Sequence, residues 1–487
     1  MTLDESSSPK ALRLRRILRG VRNLIALAAT ILLTIYFVRA IDASHGIQLE
    51  PWHSARLDEE FRVGHCASFD EYLALEDRLF EELDALVADW NSSELGRLRF
   101  QAGSRSDPST FAFDGNRSFE LPRSDARGTA VLVHGLTDAP YSLRRIGEAL
   151  HAAGLHVIAP RLPGHGTLPA GLLDVSWRDW QAVVRLAVEH ARDASGNDGP
   201  IYVVGYSLGG ALAVEYTLSA LENEDVRTPD KLILLSPAIR VTSFASFAHL
   251  HAAVSWLPLF EPFQWESVGP EYDPFKYVSF PKNGATQMRA VTLAIEAGVE
   301  RLAASERTAE FPPMLVFQSL VDTTVSSEAV LSGLMAPLAG DASALIVYDV
   351  NRDARLVPFL DAEDVQWLED WTESSSRRFR LTVISNDEES PARVSATSRA
   401  ARETQASSQQ LDATWPADVY SFSHVALPFA PDDPVNGSRR NGDELNLGAL
   451  APRGERDLLR VSMKNLMRLR HNPFFDDLVG RIVTALN

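Results

Sequence analysis

Apolar residues fall into two rhythms along this chain. Short unbroken runs, rich in β-branched residues, recur as "TAVLV" at 129–133, "HVIAP" at 156–160 and "IYVV" at 201–204. They return as "KLILLSPA" at 231–238, "MLVFQSLVD" at 314–322, "ALIVYDV" at 344–350 and "RFRLTVIS" at 378–385. Runs of this length, bounded by Gly, Pro or polar residues, predict strands buried on both faces. Between them apolar positions repeat every three or four residues, as in Leu143, Ile146 and Leu150, and through 176–193 with Ser176 as N-cap. Strands alternating with amphipathic helices predict an α/β fold with a mostly parallel sheet.

Upstream of the alternation, Ser68 and Glu71 have capping-box spacing, and Tyr72, Leu75, Leu79, Leu83, Leu86 and Trp90 follow at helical intervals. This helix is expected to pack on the main domain with its acids facing solvent. Two stretches break the rhythm. About 75 residues between the strands at 231 and 314 hold no clear strand and include the aromatic-rich "SWLPLFEPFQWESVGPEYDPFKYVSF" at 255–280. Residues 386–415 are polar, rich in Ser, Ala, Arg and Gln, and are expected to form a mobile loop.

The N-terminus differs in kind. "KALRLRRILRGVRN" at 10–23 carries six positive charges and no acid, and fifteen uncharged residues follow at 24–38. The pattern predicts a membrane anchor, with the charges holding the N-terminus in the cytoplasm and the rest of the chain outside it. A cleaved signal peptide ending near Val38-Arg39-Ala40 and a buried helix are the alternatives.

Composition narrows the function. The 487 residues carry a net charge of −18, which argues against nucleic-acid binding. The single cysteine, Cys66, excludes an intrachain disulfide and a Cys-based zinc site. "HLH" at 249–251 lacks a third ligand, so neither metal nor other cofactor is expected.

The chemistry points to "GYSLGG" at 205–210. A buried strand runs into Gly205-Tyr206-Ser207-Leu208-Gly209 and a helix runs out, which is the context the G-x-S-x-G nucleophile motif requires. The glycines make room for a tight strand-to-helix turn, and the helix N-terminus favours negative charge developing at Ser207.

Together "HGLTDAPYSLR", "RLPGHG", "GYSLGG", "SLVDTTV" and "SHVALP", in this order over roughly 128–428, resemble the α/β-hydrolase family. Within it they look like bacterial carboxylesterases and monoacylglycerol lipases. The resemblance implies an α/β-hydrolase fold, with a mostly parallel central sheet flanked by helices and an inserted cap. It implies the order nucleophile, acid, histidine. Ser207 is then the nucleophile. Asp322, at the end of a late strand, is the orienting acid, with Asp349 as runner-up. His424 is the base, with His471 as the other downstream histidine. His424 lies about 100 residues past Asp322, so an insertion must separate them. The oxyanion hole combines the N–H groups of Leu136 and Leu208, while His134 holds its loop.

On this reading the chain divides into a basic tail and anchor (1–45), a helical extension and linker (46–127), a first core segment (128–241), a cap (242–310) and a second core segment (311–487). The expected function is a membrane-anchored serine hydrolase cleaving carboxylic esters, with an apolar acyl group, a lipid or a monoacylglycerol as substrate. Acyl transfer by the same residues and a non-catalytic interaction role are the alternatives.

Overall fold

The computed structural model describes residues 17–31, 34, 49–90, 98–240, 258–438, 446–450 and 463–486, apart from 195, 197–198, 323, 354, 357–365, 388–389 and 391. Twelve strands are found among them. They are β1 (Phe119–Leu121), β2 (Thr129–Val133), β3 (His156–Ala159), β4 (Ile201–Tyr206), β5 (Lys231–Leu235), β6 (Trp265–Ser267) and β7 (Phe280–Pro281). Then come β8 (Met314–Ser319), β9 (Ala344–Tyr348), β10 (Arg380–Asn386), β11 (Val394–Arg399) and β12 (Ala406–Gln410). The helices that matter for the site are α1 (Phe69–Trp90), α2 (Arg144–Ala152), α3 (Trp177–Ala194), α4 (Leu208–Leu221), α5 (Lys282–Ala304) and α6 (Phe475–Ala485).

Ten strands form one sheet in the order β1-β3-β2-β4-β5-β8-β9-β10-β11-β12. From β3 to β10 every pairing is parallel, and antiparallel strands close both edges. Side chains alternate between the faces. Val131, Val133, Val203, Leu232 and Val316 pack with Trp180 and Leu212 of the α3–α4 side. Ala130, Leu132, Val204, Ile233 and Phe317 pack with Ile146 of α2 and Leu478 of α6 on the other. Apolar side chains on both faces explain why these strands read as unbroken runs. β6 and β7 form a separate antiparallel pair.

Helix α1 begins after Ser68, whose Oγ accepts the Glu71 N–H at 3.2 Å, while the Glu71 carboxylate accepts the Ala67 N–H at 2.7 Å. Not all its acids face solvent. Glu76 is buried against Arg161 of the "RLPGHG" segment (Nε–Oε1 2.9 Å), and Glu60 binds the same guanidinium at 3.1 Å. Burial pushes the Glu76 carboxyl up, while Arg161 and Ser118 pull it back down. Tyr72 also donates its hydroxyl to the Arg161 carbonyl at 2.6 Å. Sequence periodicity could not find the Glu76–Arg161 contact, because its partners lie 85 residues apart.

Two further expectations change. The polar stretch 386–415 carries β11 and β12, which extend the sheet antiparallel from β10. All of β12 is exposed, so no apolar alternation marked it as a strand. The expected membrane anchor is overturned: among the described residues no helix is long and apolar enough to cross a membrane. Of 24–38, residues 24–31 and 34 are described. Fifteen helical residues would span about 22 Å against a hydrocarbon core of about 30 Å. The expected placement of the domain outside the cytoplasm, which rested on that anchor, falls with it.

Candidate active site

β4 delivers the chain to Ser207 and α4 carries it away. Ser207 sits in a positive-φ conformation, φ 53° and ψ −112°, rarely tolerated outside glycine. Surrounding hydrogen bonds hold it there. Its N–H donates to the Leu235 carbonyl at 2.9 Å, and its own carbonyl accepts from Ala211 at 3.2 Å and Ala238 at 3.1 Å. The flanking glycines are sterically required. A Cβ on Gly205 would lie 2.5 Å from the Gly209 carbonyl oxygen, and one on Gly209 would lie 1.9 Å from that of Val133. The chain can therefore turn from β4 into α4 this tightly, and α4 approach β2 this closely, only with glycine at both positions.

Leu208 is the first residue of α4, so its N–H has no acceptor within the helix. Leu136 lies in the loop after β2, beside Thr137 with φ 66°. That loop is braced by His134. His134 Nδ1 donates to the Gly135 carbonyl at 2.9 Å and Nε2 accepts the Leu162 N–H at 2.9 Å, which fixes a neutral tautomer. Burial holds the His134 imidazole far below the usual range, at about 3. His165 of the "GHG" segment is also buried and stacks edge-on against His134, with ring centroids 5.0 Å apart.

Asp322 follows β8 in the loop at the same end of the sheet. Its Oδ1 accepts N–H groups from Thr324 at 2.8 Å and Val325 at 3.1 Å. The same oxygen lies 3.2 Å from Nδ1 of His424, which occupies the short turn His424–Ala426. Both side chains are shielded, at 1 % and 9 % exposure for Asp322 and His424. Burial alone would raise the Asp322 carboxyl. The adjacent imidazole and the two N–H donors outweigh it and hold the group below the usual carboxylate range. The His424 ring lies 6.4 Å from that of Tyr206, the residue before Ser207.

The rival residues are placed differently. Asp349 is buried, but its Oδ2 is 2.6 Å from Nε of Arg352. His471 sits just before α6, where burial lowers its imidazole. Residues 249–251 lie outside the described residues, and no group of three potential metal ligands is found among the described ones.

Sequence reasoning missed the braces of the His424 loop. Ser319, at the end of β8, donates its hydroxyl to the Phe422 carbonyl at 2.5 Å and ties the Asp322 strand to the histidine loop. Tyr141 donates to Asp433 at 3.0 Å beyond the histidine. Neither pair leaves a local signal, since each joins segments over 100 residues apart. A cavity of about 170 Å³ lies alongside, lined in part by Tyr206, Asp138, Tyr277 and Val425. Ser207 and His424 do not line it; their immediate neighbours do.

Comparison with known proteins bears on this arrangement. Residues 124–279 match the family model described as serine aminopeptidase, S33. A thermostable monoacylglycerol lipase of Bacillus sp. (strain H-257) is 37% identical over 84 residues, 17% of this chain and 32% of that protein. Lipase LipV of Mycobacterium tuberculosis is 32% identical over 119 residues, 24% of this chain and 40% of that protein. The chain thus spans only about a third of the length of these curated relatives. The crystal structure of a soluble variant of monoglyceride lipase from Saccharomyces cerevisiae is 13% identical, with a TM-score of 0.38, covering 48% of this chain and 82% of that one. Sheet order, the strained elbow after β4 and the matched segment together identify a chain with the α/β-hydrolase fold, similar to esterases and monoacylglycerol lipases.

Proposed function

We propose that the chain is a serine hydrolase of carboxylic esters. Ser207 attacks the acyl carbonyl. His424 takes the serine proton and passes it to the leaving alcohol, and Asp322 orients the His424 imidazole. Water then attacks the acyl-enzyme by the same route in reverse and releases the acid. The N–H groups of Leu136 and Leu208 stabilise the oxyanion. The observation that carries this reading is the shielded 3.2 Å contact between His424 Nδ1 and Asp322 Oδ1, on loops that meet near the strained elbow.

The substrate is an ester with an apolar acyl group, a monoacylglycerol among the candidates. The lipase relatives support that class, as do the aromatic residues of 255–280, of which Phe275 and Tyr277 border the cavity beside the elbow. Residues 242–310, of which 242–257 lie outside the described residues, act as a cap between core segments 128–241 and 311–487, with 46–127 as a helical extension. Gly284 of α5 lies near enough to Leu136 that a Cβ built on it would meet a Leu136 methyl at 3.8 Å, which supports the cap's closeness to the oxyanion loop. A fluorophosphonate probe followed by peptide mapping tests the reading. It should label Ser207 alone, and the labelled protein should lose hydrolysis of short and medium-chain p-nitrophenyl esters. Labelling elsewhere, or full activity after labelling, contradicts it.

A further inference from the structure

A second concavity lies away from the elbow. It is a groove of about 500 Å³ between the loop around Phe61, helix α3 and helix α4. Its walls are mostly apolar, with Phe61, Trp177, Leu186 and Tyr216 among them. Glu215 lies eight residues beyond Ser207, about 12 Å along the helix axis. Ser207, Asp322, His424, Leu136 and Leu208 all lie outside the lining.

Two polar side chains in this apolar wall are incompletely satisfied. Glu215 is only 8 % exposed. Its Oε1 accepts the Ser219 hydroxyl at 2.9 Å, but its Oε2 is buried without a protein partner. Gln181 has both its amide nitrogen and its amide oxygen buried and unpartnered. Both residues line the groove. Buried polar atoms cost stability unless something bonds to them, and three in one groove leave hydrogen-bonding capacity that a bound molecule can take up. The free set comprises one amide donor, one amide acceptor and one carboxylate oxygen. Burial raises the Glu215 carboxyl above its ordinary range, which suits a neutral partner. The cations at the rim are already occupied. Arg185 pairs with Glu189 at 2.8 Å, and Arg178 lies over the Trp177 ring at 4.9 Å.

We propose that this groove is a second binding site, for a small amphipathic molecule whose apolar chain lies along Phe61, Trp177, Leu186 and Tyr216 and whose neutral hydroxyl head exchanges hydrogen bonds with Gln181 and Glu215. Its volume falls in the range of small-molecule sites, as does its pattern of apolar walls with few convergent polar groups. A carboxylate head is disfavoured, because it would meet Glu215 and find the rim arginines engaged.

The test is calorimetric titration of the full chain with 1-octanol and, separately, with octanoate at pH 7.5. Four proteins are compared: wild type, Ser207→Ala, Gln181→Leu and Asn223→Trp. Asn223 is an exposed lining residue, so the indole blocks the groove without touching the core. Octanol should bind wild type and Ser207→Ala alike, and at least tenfold more weakly to each groove variant. Octanoate should bind wild type more weakly than octanol. Ester hydrolysis should stay unchanged in both groove variants. No saturable octanol binding, equal affinity in all four proteins, or tighter binding of octanoate overturns the proposal.

Discussion

At the scale of single residues, burial sets several charges against their ordinary values. His53 shows the consequence most simply, because it lies in the N-terminal extension. Its Nδ1 accepts the Glu50 N–H at 2.9 Å and its Nε2 meets Ser279 Oγ at 2.9 Å. Burial holds its imidazole at about 4, against an ordinary 6.5. A lowered folded value means that the unfolded chain binds a proton first as pH falls. The contribution to stability is therefore complete above about 6.5 and is lost as pH falls toward 4. His53→Asn keeps an acceptor for Glu50 but cannot titrate. In urea unfolding, the variant's deficit relative to wild type should narrow by about 2 kcal/mol between pH 7.5 and pH 5. A deficit independent of pH contradicts this. What the sequence made legible at this scale was the elbow at Ser207, because a strand, two glycines and a helix are all local features. The resemblance implied a histidine downstream of Asp322, where His424 and His471 lie, and the structure places His424 Nδ1 3.2 Å from Asp322 Oδ1. The Ser319 and Tyr141 braces were not legible, because hydrogen bonds across loops leave no periodic trace.

At the scale of elements, apolar periodicity found the parallel strands and the helices that cover them. It failed where an element is polar, as with β12, or where a helix buries a charge. Glu76 of α1 reaches Arg161, and that guanidinium also holds Glu60 and the His165 carbonyl at 3.0 Å. Helix α1 is thus tied to the segment whose Leu162 N–H supports His134. Removing Glu76 leaves Arg161 paired with Glu60, but it strips the Arg161 Nε and the Ser118 N–H and hydroxyl of their buried acceptor, which costs about 1–3 kcal/mol. Glu76→Leu should therefore destabilise the fold by that amount in chemical denaturation. Glu59→Ala removes the exposed pair with Arg78 and should cost under about 1 kcal/mol. Equal losses in the two variants would show that the Arg161 cluster does not hold the extension in place.

At the scale of the whole molecule, the sheet gathers residues that are remote in sequence. Ser207 follows β4, Asp322 follows β8, and His424 arrives after four further strands. The long gap before the histidine is explained by β10, β11 and β12, which extend the sheet edge before the chain returns to Ser319 through Phe422. Sequence order conveyed the α/β-hydrolase arrangement, but the fifteen-residue N-terminal run misled: among the described residues no helix is long and apolar enough to span a membrane. If Ser207 and His424 form one relay, removing either disables the same step, so their effects cannot multiply. The most direct measurement is kcat/KM on one short p-nitrophenyl ester for Ser207→Ala, His424→Ala, the double variant and His471→Ala. Each of the first two should lose about 10³-fold or more, the double variant little beyond that, and His471→Ala should stay near wild type. A His424→Ala protein that keeps most of its rate, or a double variant that loses the product of the two single losses, contradicts the relay.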